Sequence, residues 1–560
     1  VFRAFDHYAM NMARQLPRIK LGRNISNGLL EIRKKIQGVN PETKERYPEK
    51  SPIYYEAFSR EIMDALHPKL TGPISNFATG AAFSYYLTSP ASAILQLTSV
   101  ALQGIPSIGK KHGYVLAHAA MGAATKMYLG SGIGPKTGWW NMERGAKLYK
   151  DKNKGYKKLI GDAKHADQFD IEKAYKSFLE EGIITSGIHA EAFSGKNRTT
   201  GAHENVMQKA VNLMDLMSQP FAQMESASRQ IVGTAAYIAN MKSGMTHAQA
   251  VEAAIDSVYL DMGDFGSTGR ATLTKSDIAR VVWQFQQYGA KLLFSMAKSA
   301  VDLASKNGYK RKEAIKHLSG LMAMHWLFAG ALGLPAAGMV GAFNDLLKDA
   351  LSDDEWHNYK ADLRAYLEAQ GVDRAFINIV LDGPLSTLTG LKLSERLGAH
   401  ELIPLIHESQ VNDTLDVSAK DRLFEMFGGA AGSLAVNISE GVGLFTKGET
   451  ERAIEKLVPN AIVKNALTAT RYGTEGKINA KGEEVIAKEK FTPYDLFVQS
   501  LGFTPYKVFK GEESARSAKT DVSFIQDKRT ELLAEFREAL KEGDTKEALA
   551  NIMAFNKKYP

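Results

Sequence analysis

Apolar residues recur every three or four positions along most of the chain, and this spacing is typical of amphipathic helices. Runs that alternate apolar and polar residues, as strands do, are rare. The 560-residue sequence therefore predicts a helical protein. Predicted helices cover residues 1–36, 52–66 and 203–243, and two closing helices cover about 524–541 and 545–556.

One short segment predicts β structure. Residues 477–479 and 484–486 flank a four-residue connection, Ala-Lys-Gly-Glu, that can close a hairpin. The predicted fold class is all-α, an elongated multi-helix assembly with at most one short β-hairpin at about 477–486.

Changes in charge and apolarity along the chain predict five segments. The chain begins at Val1 without a basic stretch followed by an apolar core, so we expect no signal peptide and expect further modules upstream. The segments are a basic amphipathic segment (1–70), a helical domain with an apolar hairpin and basic helices (71–200), a central helical module (201–345), a helical, loop-rich module (346–515) and a C-terminal helical hairpin (516–560).

Residues 70–109 carry no formal charge. Proline at positions 73, 90 and 106 argues against a single long helix, because proline lacks an amide hydrogen and clashes with the preceding turn. We predict two apolar helices there, with turns at Ser89-Pro90 and near Pro106. Their serine, threonine and glutamine content favours burial in the protein core.

Residues 318–343 form a second uncharged run, long enough for the roughly 20 residues of a membrane span. Basic residues precede it, acidic residues follow it, and Gly333, Ala337 and Gly341 repeat every four positions, a spacing that lets helices approach closely. Two interpretations stay open, a hairpin buried in the core and a conditional membrane segment. The candidate membrane-contacting residues are Leu321, Trp326, Leu327, Phe328, Gly333, Pro335 and Gly341.

The net charge is +8, from 70 basic and 62 acidic residues. The excess is local: residues 1–50 hold 11 basic and 5 acidic side chains, and residues 136–165 hold 9 and 3. Such runs are typical of solvated helix faces, and the alternative is contact with phosphate. The candidate lipid- or DNA-phosphate-contacting residues are Arg33, Lys34, Lys35, Lys154, Lys157, Lys158, Lys310, Arg311 and Lys312.

The chain contains no cysteine, which excludes disulfides, thiolate metal sites and cysteine nucleophiles. The loop GSGIGPKTG (130–138) is similar to a phosphate-binding loop, but Pro135 separates Gly134 from Lys136 where that loop needs glycine directly before lysine. We therefore predict a plain turn. The thirteen histidines form no ligand cluster in the sequence, so no metal and no cofactor is predicted.

Glu225-Ser226 resembles the catalytic Glu-Ser of lytic transglycosylases. The glycine-rich segment that should follow is absent, and Arg229 lies one helical turn along, where it would keep the carboxylate ionised and unfit as a general acid. We predict that Glu225 and Arg229 form a structural ion pair. No catalytic residue is identified, so the sequence predicts a protein that is not an enzyme.

Four segments in order, MESASRQIVGTAAY (224–237), GMTHAQAVEAA (244–254), RVVWQFQQYGAKLL (280–293) and HWLFAGALGLP (325–335), resemble a module of large polyvalent proteins of phages and mobile elements. That group includes the internal virion proteins of short-tailed bacteriophages. The resemblance covers about residues 200–560, with later matches at 383–398, 491–505 and 535–560.

The resemblance implies a structural, multi-copy helical protein inside the virion that is ejected with the DNA and helps form a conduit through the host envelope, in the periplasm and inner membrane. Implied partners are further copies of the chain, other internal virion, portal or tail proteins, double-stranded phage DNA bound without sequence preference, and the host membrane. It implies no catalytic residues here. The alternatives are a module of a phage enzyme, either a peptidoglycan hydrolase or a DNA-modifying enzyme, and an antirestriction or scaffold protein carried in the capsid.

Overall fold

The structure is a computed structural model. Of the residues that it describes, 80% are helical, and the strands among them form one two-stranded antiparallel sheet. The predicted all-α fold class with one short hairpin is therefore confirmed. The described residues are 73–133, 138–152, 159–184, 206–263, 286–334, 359–393, 434, 436–458, 460–479, 482–542 and 545–558.

We number the helices and strands in chain order within these ranges. Residues 436–446 are also helical. The elements are α1 (Pro73–Leu87), α2 (Pro90–Ser99), a π turn (Val100–Gly104), α3 (Ile105–His112), α4 (Tyr114–Gly130), α5 (Met142–Lys152), α6 (Ile171–Glu180), α7 (Val206–Lys242), α8 (His247–Met262), α9 (Gln286–Leu303), α10 (Gly308–Ala329), α11 (Tyr359–Ala369), α12 (Arg374–Asp382), α13 (Pro384–Thr389), α14 (Thr450–Leu457), α15 (Ala461–Thr474), β1 (Lys477–Ile478), β2 (Glu484–Ile486), α16 (Pro493–Leu501), α17 (Tyr506–Glu542) and α18 (Lys546–Lys558), with short 3₁₀ turns at Ala166–Gln168, Ala331–Gly333 and Lys488–Lys490.

The core is built around α7, which packs against α1, α2, α4 and α8. Its second half is buried on nearly every side, and Ala235, Tyr237 and Ile238 are fully buried. Burial all round is typical of a helix in the core. The same cluster takes in Met127 and Ile171 from earlier helices, so it joins residues of the predicted 71–200 and 201–345 segments. The five-segment division stays a prediction.

The uncharged stretch before α4 follows the prediction at one proline and departs from it at another. Ser89 precedes α2, and its hydroxyl accepts a hydrogen bond from the Ser92 amide, so the turn at Ser89-Pro90 is confirmed. The predicted turn near Pro106 is wrong, because the helix runs on from Pro90 to His112. The π turn just before Pro106 widens the backbone, which accommodates a residue that lacks an amide hydrogen.

The C-terminal region also differs from the prediction. The last helix is α18, close to its predicted position, but α17 begins at Tyr506 rather than at about 524. Its first turns carry little helical periodicity of their own. They pack on the predicted hairpin, where Val508 is buried with Tyr472 and Ile486. Tertiary packing therefore extends this helix beyond the part that periodicity indicates.

Candidate functional site

Glu225 and Arg229 lie one turn apart on α7, where residues four apart share a face. The Arg229 Nη2 is 3.3 Å from the Glu225 Oε1, and Arg229 and Glu225 are 3% and 1% exposed. The pair is thus enclosed by protein. Arg229 also donates hydrogen bonds to the carbonyl of Gly263 at 2.8 Å and to that of Ile183 at 3.4 Å. It connects α7 to the chain that follows α6 and to the end of α8.

Ser226, the second residue of the Glu-Ser doublet, is likewise bound to protein. Its hydroxyl donates to the carbonyl of Ile184 at 2.6 Å and accepts from the Gln230 side chain at 3.0 Å. Gln230 in turn accepts from the amide of Met142. A general acid must reach its substrate, and Glu225 has no such access. The arrangement connects α7 to its neighbours.

The described part of the uncharged run 318–343, residues 318–334, belongs mainly to α10, which ends at Ala329. Its last turn packs on α12 and α13: the Trp326 indole donates to the carbonyl of Val380 at 3.2 Å, and the Ser386 hydroxyl donates to that of Phe328 at 2.8 Å. Leu321 and Gly333 are buried, Leu327 and Phe328 are partly buried, and Trp326 is 36% exposed. Pro335 and Gly341 lie outside the described residues.

The helical run that satisfies the length and composition of a membrane span is not α10. In the part of the chain that the structure describes it is Pro90–His112, and 67% of its apolar window is buried inside the protein. Buried core helices pass the same test, so this is weak evidence of a membrane role. It accords with the core position that the sequence favours for this stretch.

Three of the candidate phosphate-contacting residues lie in the first turns of α10. Asn307 caps that helix by accepting hydrogen bonds from two backbone amides, and Lys310, Arg311 and Lys312 are exposed beyond it. Exposure is what contact with DNA or lipid phosphate requires, and it is equally typical of a solvated helix face. Outside the described residues lie Arg33, Lys34, Lys35, Lys154, Lys157 and Lys158.

The structure brings together three polar side chains, His112, Asn240 and Ser243, that form no motif in the sequence. The Asn240 amide nitrogen donates to the carbonyl of Ala250, so its oxygen faces the His112 Nε2, 2.9 Å away. That nitrogen must carry the hydrogen, which leaves the Nδ1 lone pair toward the Ser243 hydroxyl at 2.7 Å. Burial lowers the pKa of His112. A serine beside an oriented neutral imidazole is the usual arrangement of an activated nucleophile.

The position of Ser243 argues against catalysis. It follows the last residue of α7, and its hydroxyl also lies 2.9 Å from the carbonyl of Ala239. The carbonyl end of a helix carries partial negative charge, which opposes formation of an alkoxide. We interpret the cluster as a link between the ends of α3 and α7. Because His112 and Asn240 are 128 residues apart, sequence spacing gives no signal of it.

Asp382 forms a second buried polar centre. Its carboxylate, on a residue 3% exposed, accepts from Arg364 and Tyr506, each at 2.5 Å, and pairs with the Lys510 ammonium at 3.1 Å. These partners belong to α11 and α17, so one carboxylate ties α12 to both. The arrangement neutralises a buried charge rather than presenting it to a ligand.

Within the described ranges, no group of three or more His, Asp or Glu side chains is placed to hold a metal ion. Comparison with known proteins adds no assignment: no family model, curated protein or solved structure matches the chain.

Proposed function

We propose that the chain is a structural internal virion protein of a bacteriophage, carried in the capsid and ejected with the genome. In this proposal it contributes to a core around the portal and then to a DNA-translocating conduit through the host envelope. Its partners are other copies of itself, other internal virion, portal or tail proteins, double-stranded DNA bound without sequence preference, and the host membrane.

The observation that carries the proposal is where the resembling segments lie. MESASRQIVGTAAY (224–237) forms the most enclosed part of α7, with Ala227, Val232 and Ala235 fully buried. A segment that resembles a family through its core supports a shared packing module rather than a shared catalytic site.

Two further resembling segments meet each other. HWLFAGALGLP (325–335) ends α10, and GPLSTLTGLKLSERLG (383–398) begins at α13. A side chain at Gly330 would lie 2.2 Å from the carbonyl of Leu381, and one at Gly383 would lie 2.7 Å from the Gly330 amide nitrogen. Both glycines are therefore required by close backbone approach. These motifs again serve packing, which supports a structural role.

The exposed cations of α10 support the nucleic-acid and lipid parts of the proposal. Lys310, Arg311 and Lys312 lie at the start of a helix whose other end is apolar. Cations contact phosphate without reading sequence. A conduit protein needs only this kind of binding to DNA.

The test is quantitative mass spectrometry of purified phage particles before and after DNA release. We expect peptides of the chain in full particles at several copies, and their loss from particles that have released DNA. Absence from full particles would overturn the proposal. Retention after release would favour a scaffold protein instead. Wall-degrading activity of the purified chain would favour a peptidoglycan hydrolase module, and inhibition of restriction would favour an antirestriction protein.

A further inference from the structure

Two histidines of α10 lie on a buried ridge of that helix. His317, Leu321 and His325 are spaced four residues apart, so they follow one another along the same side. The two histidines are 5% and 2% exposed. Around this helix pack α3, α9, α12 and α13. Both imidazoles are thus enclosed where α10 docks on the rest of the protein.

The hydrogen bond of His325 shows which form of its ring fits. The His325 Nδ1 is 2.8 Å from the carbonyl of Leu321. A carbonyl only accepts, so Nδ1 carries the hydrogen, and Nε2 in the neutral ring is a bare lone pair. In the described part of the chain that buried Nε2 has no hydrogen-bond partner. Protonation would create a buried N–H without an acceptor, together with a buried charge.

His317 is enclosed in a different way. Its Nδ1 is 2.8 Å from the Ser299 hydroxyl on α9, a partner that can either donate or accept. From α3, Lys110 acts on the ring as a like charge. A second positive charge here would be both desolvated and repelled.

The charged groups on the surrounding helices do not offset these costs. Asp382 of α12, a buried carboxylate, is already bound by Arg364, Tyr506 and Lys510. Other described ionisable groups on the surrounding helices are Lys110, Lys111 and His112 of α3, Lys298 and Asp302 of α9, and Arg374 of α12. On α10 itself, Glu313 lies four residues before His317, and its charge acts on His112.

We propose that α10 is an acid-released helix: protonation of His317 and His325 is incompatible with its docked position, so acidification detaches it and uncovers the apolar residues of its C-terminal half. The ligand that releases α10 is the proton. The inference does not rest on the proposed virion role, and a soluble purified chain suffices to test it.

The pKa values agree in sign with this geometry. Burial, with a smaller contribution from Lys110, lowers the pKa of His317 from 6.5 to about 4. Burial also lowers the pKa of His325. A base whose pKa is lowered on docking binds more protons when undocked, so docking weakens as the pH falls below about 6.5. Between pH 7.5 and 5.0, protonation of His317 alone should raise the equilibrium constant for release of α10 about 30-fold.

The experiment is hydrogen–deuterium exchange of the full chain at pH 7.5 and 5.0, corrected for the intrinsic pH dependence of exchange. The amides of α15 serve as the internal reference. We expect the protection of α10 to fall about 30-fold more than that of α15. The variant His317→Gln/His325→Gln, which cannot be protonated at these sites, should lose this difference. His118→Gln, at an exposed position on α4, should keep it.

Equal pH dependence of α10 and α15 would overturn the proposal, and so would a fall in α10 protection that persists in the double variant. Circular dichroism at pH 7.5 checks that the double variant folds. If it does not, His317→Gln alone decides the matter, since it should remove about 30-fold of the pH effect.

Discussion

The Arg471 guanidinium lies against the Glu455 carboxylate in a two-bond pair, with Nε to Oε1 at 2.7 Å and Nη2 to Oε2 at 3.1 Å. Both residues are buried, and the pair joins α15 to α14. The Thr468 hydroxyl donates to the same carboxylate. Removal of one partner would leave the other charge enclosed and uncompensated.

We therefore expect Glu455→Ala to lower the free energy of unfolding by about 3–5 kcal/mol. The variant Glu455→Met/Arg471→Met removes both charges. Its free energy of unfolding should be much closer to that of the parent chain, since apolar replacement of a buried pair is often neutral. Urea unfolding followed by circular dichroism measures both. Glu451→Ala, at an exposed position on the same helix, is the control. If the double variant loses as much free energy of unfolding as Glu455→Ala, the ion pair itself stabilises the fold.

The second prediction concerns the Glu-Ser doublet. Glu225→Gln should lower the free energy of unfolding by about 2 kcal/mol, because it weakens a charge-assisted bond to Arg229. Any wall-degrading activity of the virion should be unchanged. Zymography and thermal unfolding measure the two effects, with the exposed Glu252→Gln on α8 as control. Loss of lytic activity in Glu225→Gln without unfolding would show that the carboxyl is catalytic.

The third prediction compares two glycines. Gly330 has φ of +69°, and a Cβ there would lie 2.2 Å from the carbonyl of Leu381. Gly330→Ala should therefore destabilise by more than about 1 kcal/mol. Gly122 lies within α4, and a Cβ there would meet nothing within 4 Å. Gly122→Ala should stabilise by about 0.4–1 kcal/mol. Chemical denaturation distinguishes them, and equal effects would contradict the packing of α10 on α12.

The fourth prediction tests contact with lipid. Neutralisation of Lys310, Arg311 and Lys312 to glutamine should weaken binding to anionic vesicles by about 1 kcal/mol per residue, or roughly 100-fold in total. Vesicle flotation at low salt measures this. The control replaces Lys173 and Lys176, which are exposed on α6. If the intact chain does not float with vesicles at neutral or acid pH, the membrane partner should be removed from the proposal.

Periodicity predicted the helical class, the hairpin and the long α7 because each is encoded locally. Tyr506 as the start of α17 could not be predicted, since that start depends on Val508 packing against distant residues. Polar contacts could likewise be predicted only where the two partners are close in the sequence. The pair of Glu225 and Arg229 is four residues apart and visible in the sequence, whereas the contact between Asp382 and Tyr506 spans 124 residues and depends on the tertiary fold.

The π turn at Val100–Gly104 has a consequence for the phase of the helix that contains it. A π turn holds about one residue more than an α turn, and each residue of an α-helix advances the side chain by about 100°. The wider π turn accommodates the extra residue, so the helix continues in the same direction without this rotation of about 100°. The apolar positions of α2 and α3 therefore follow two registers, one residue out of step. Deletion of one residue inside the turn should convert it to regular helix and leave both flanks in place, whereas the same deletion within α2 would rotate half of the helix out of its packing.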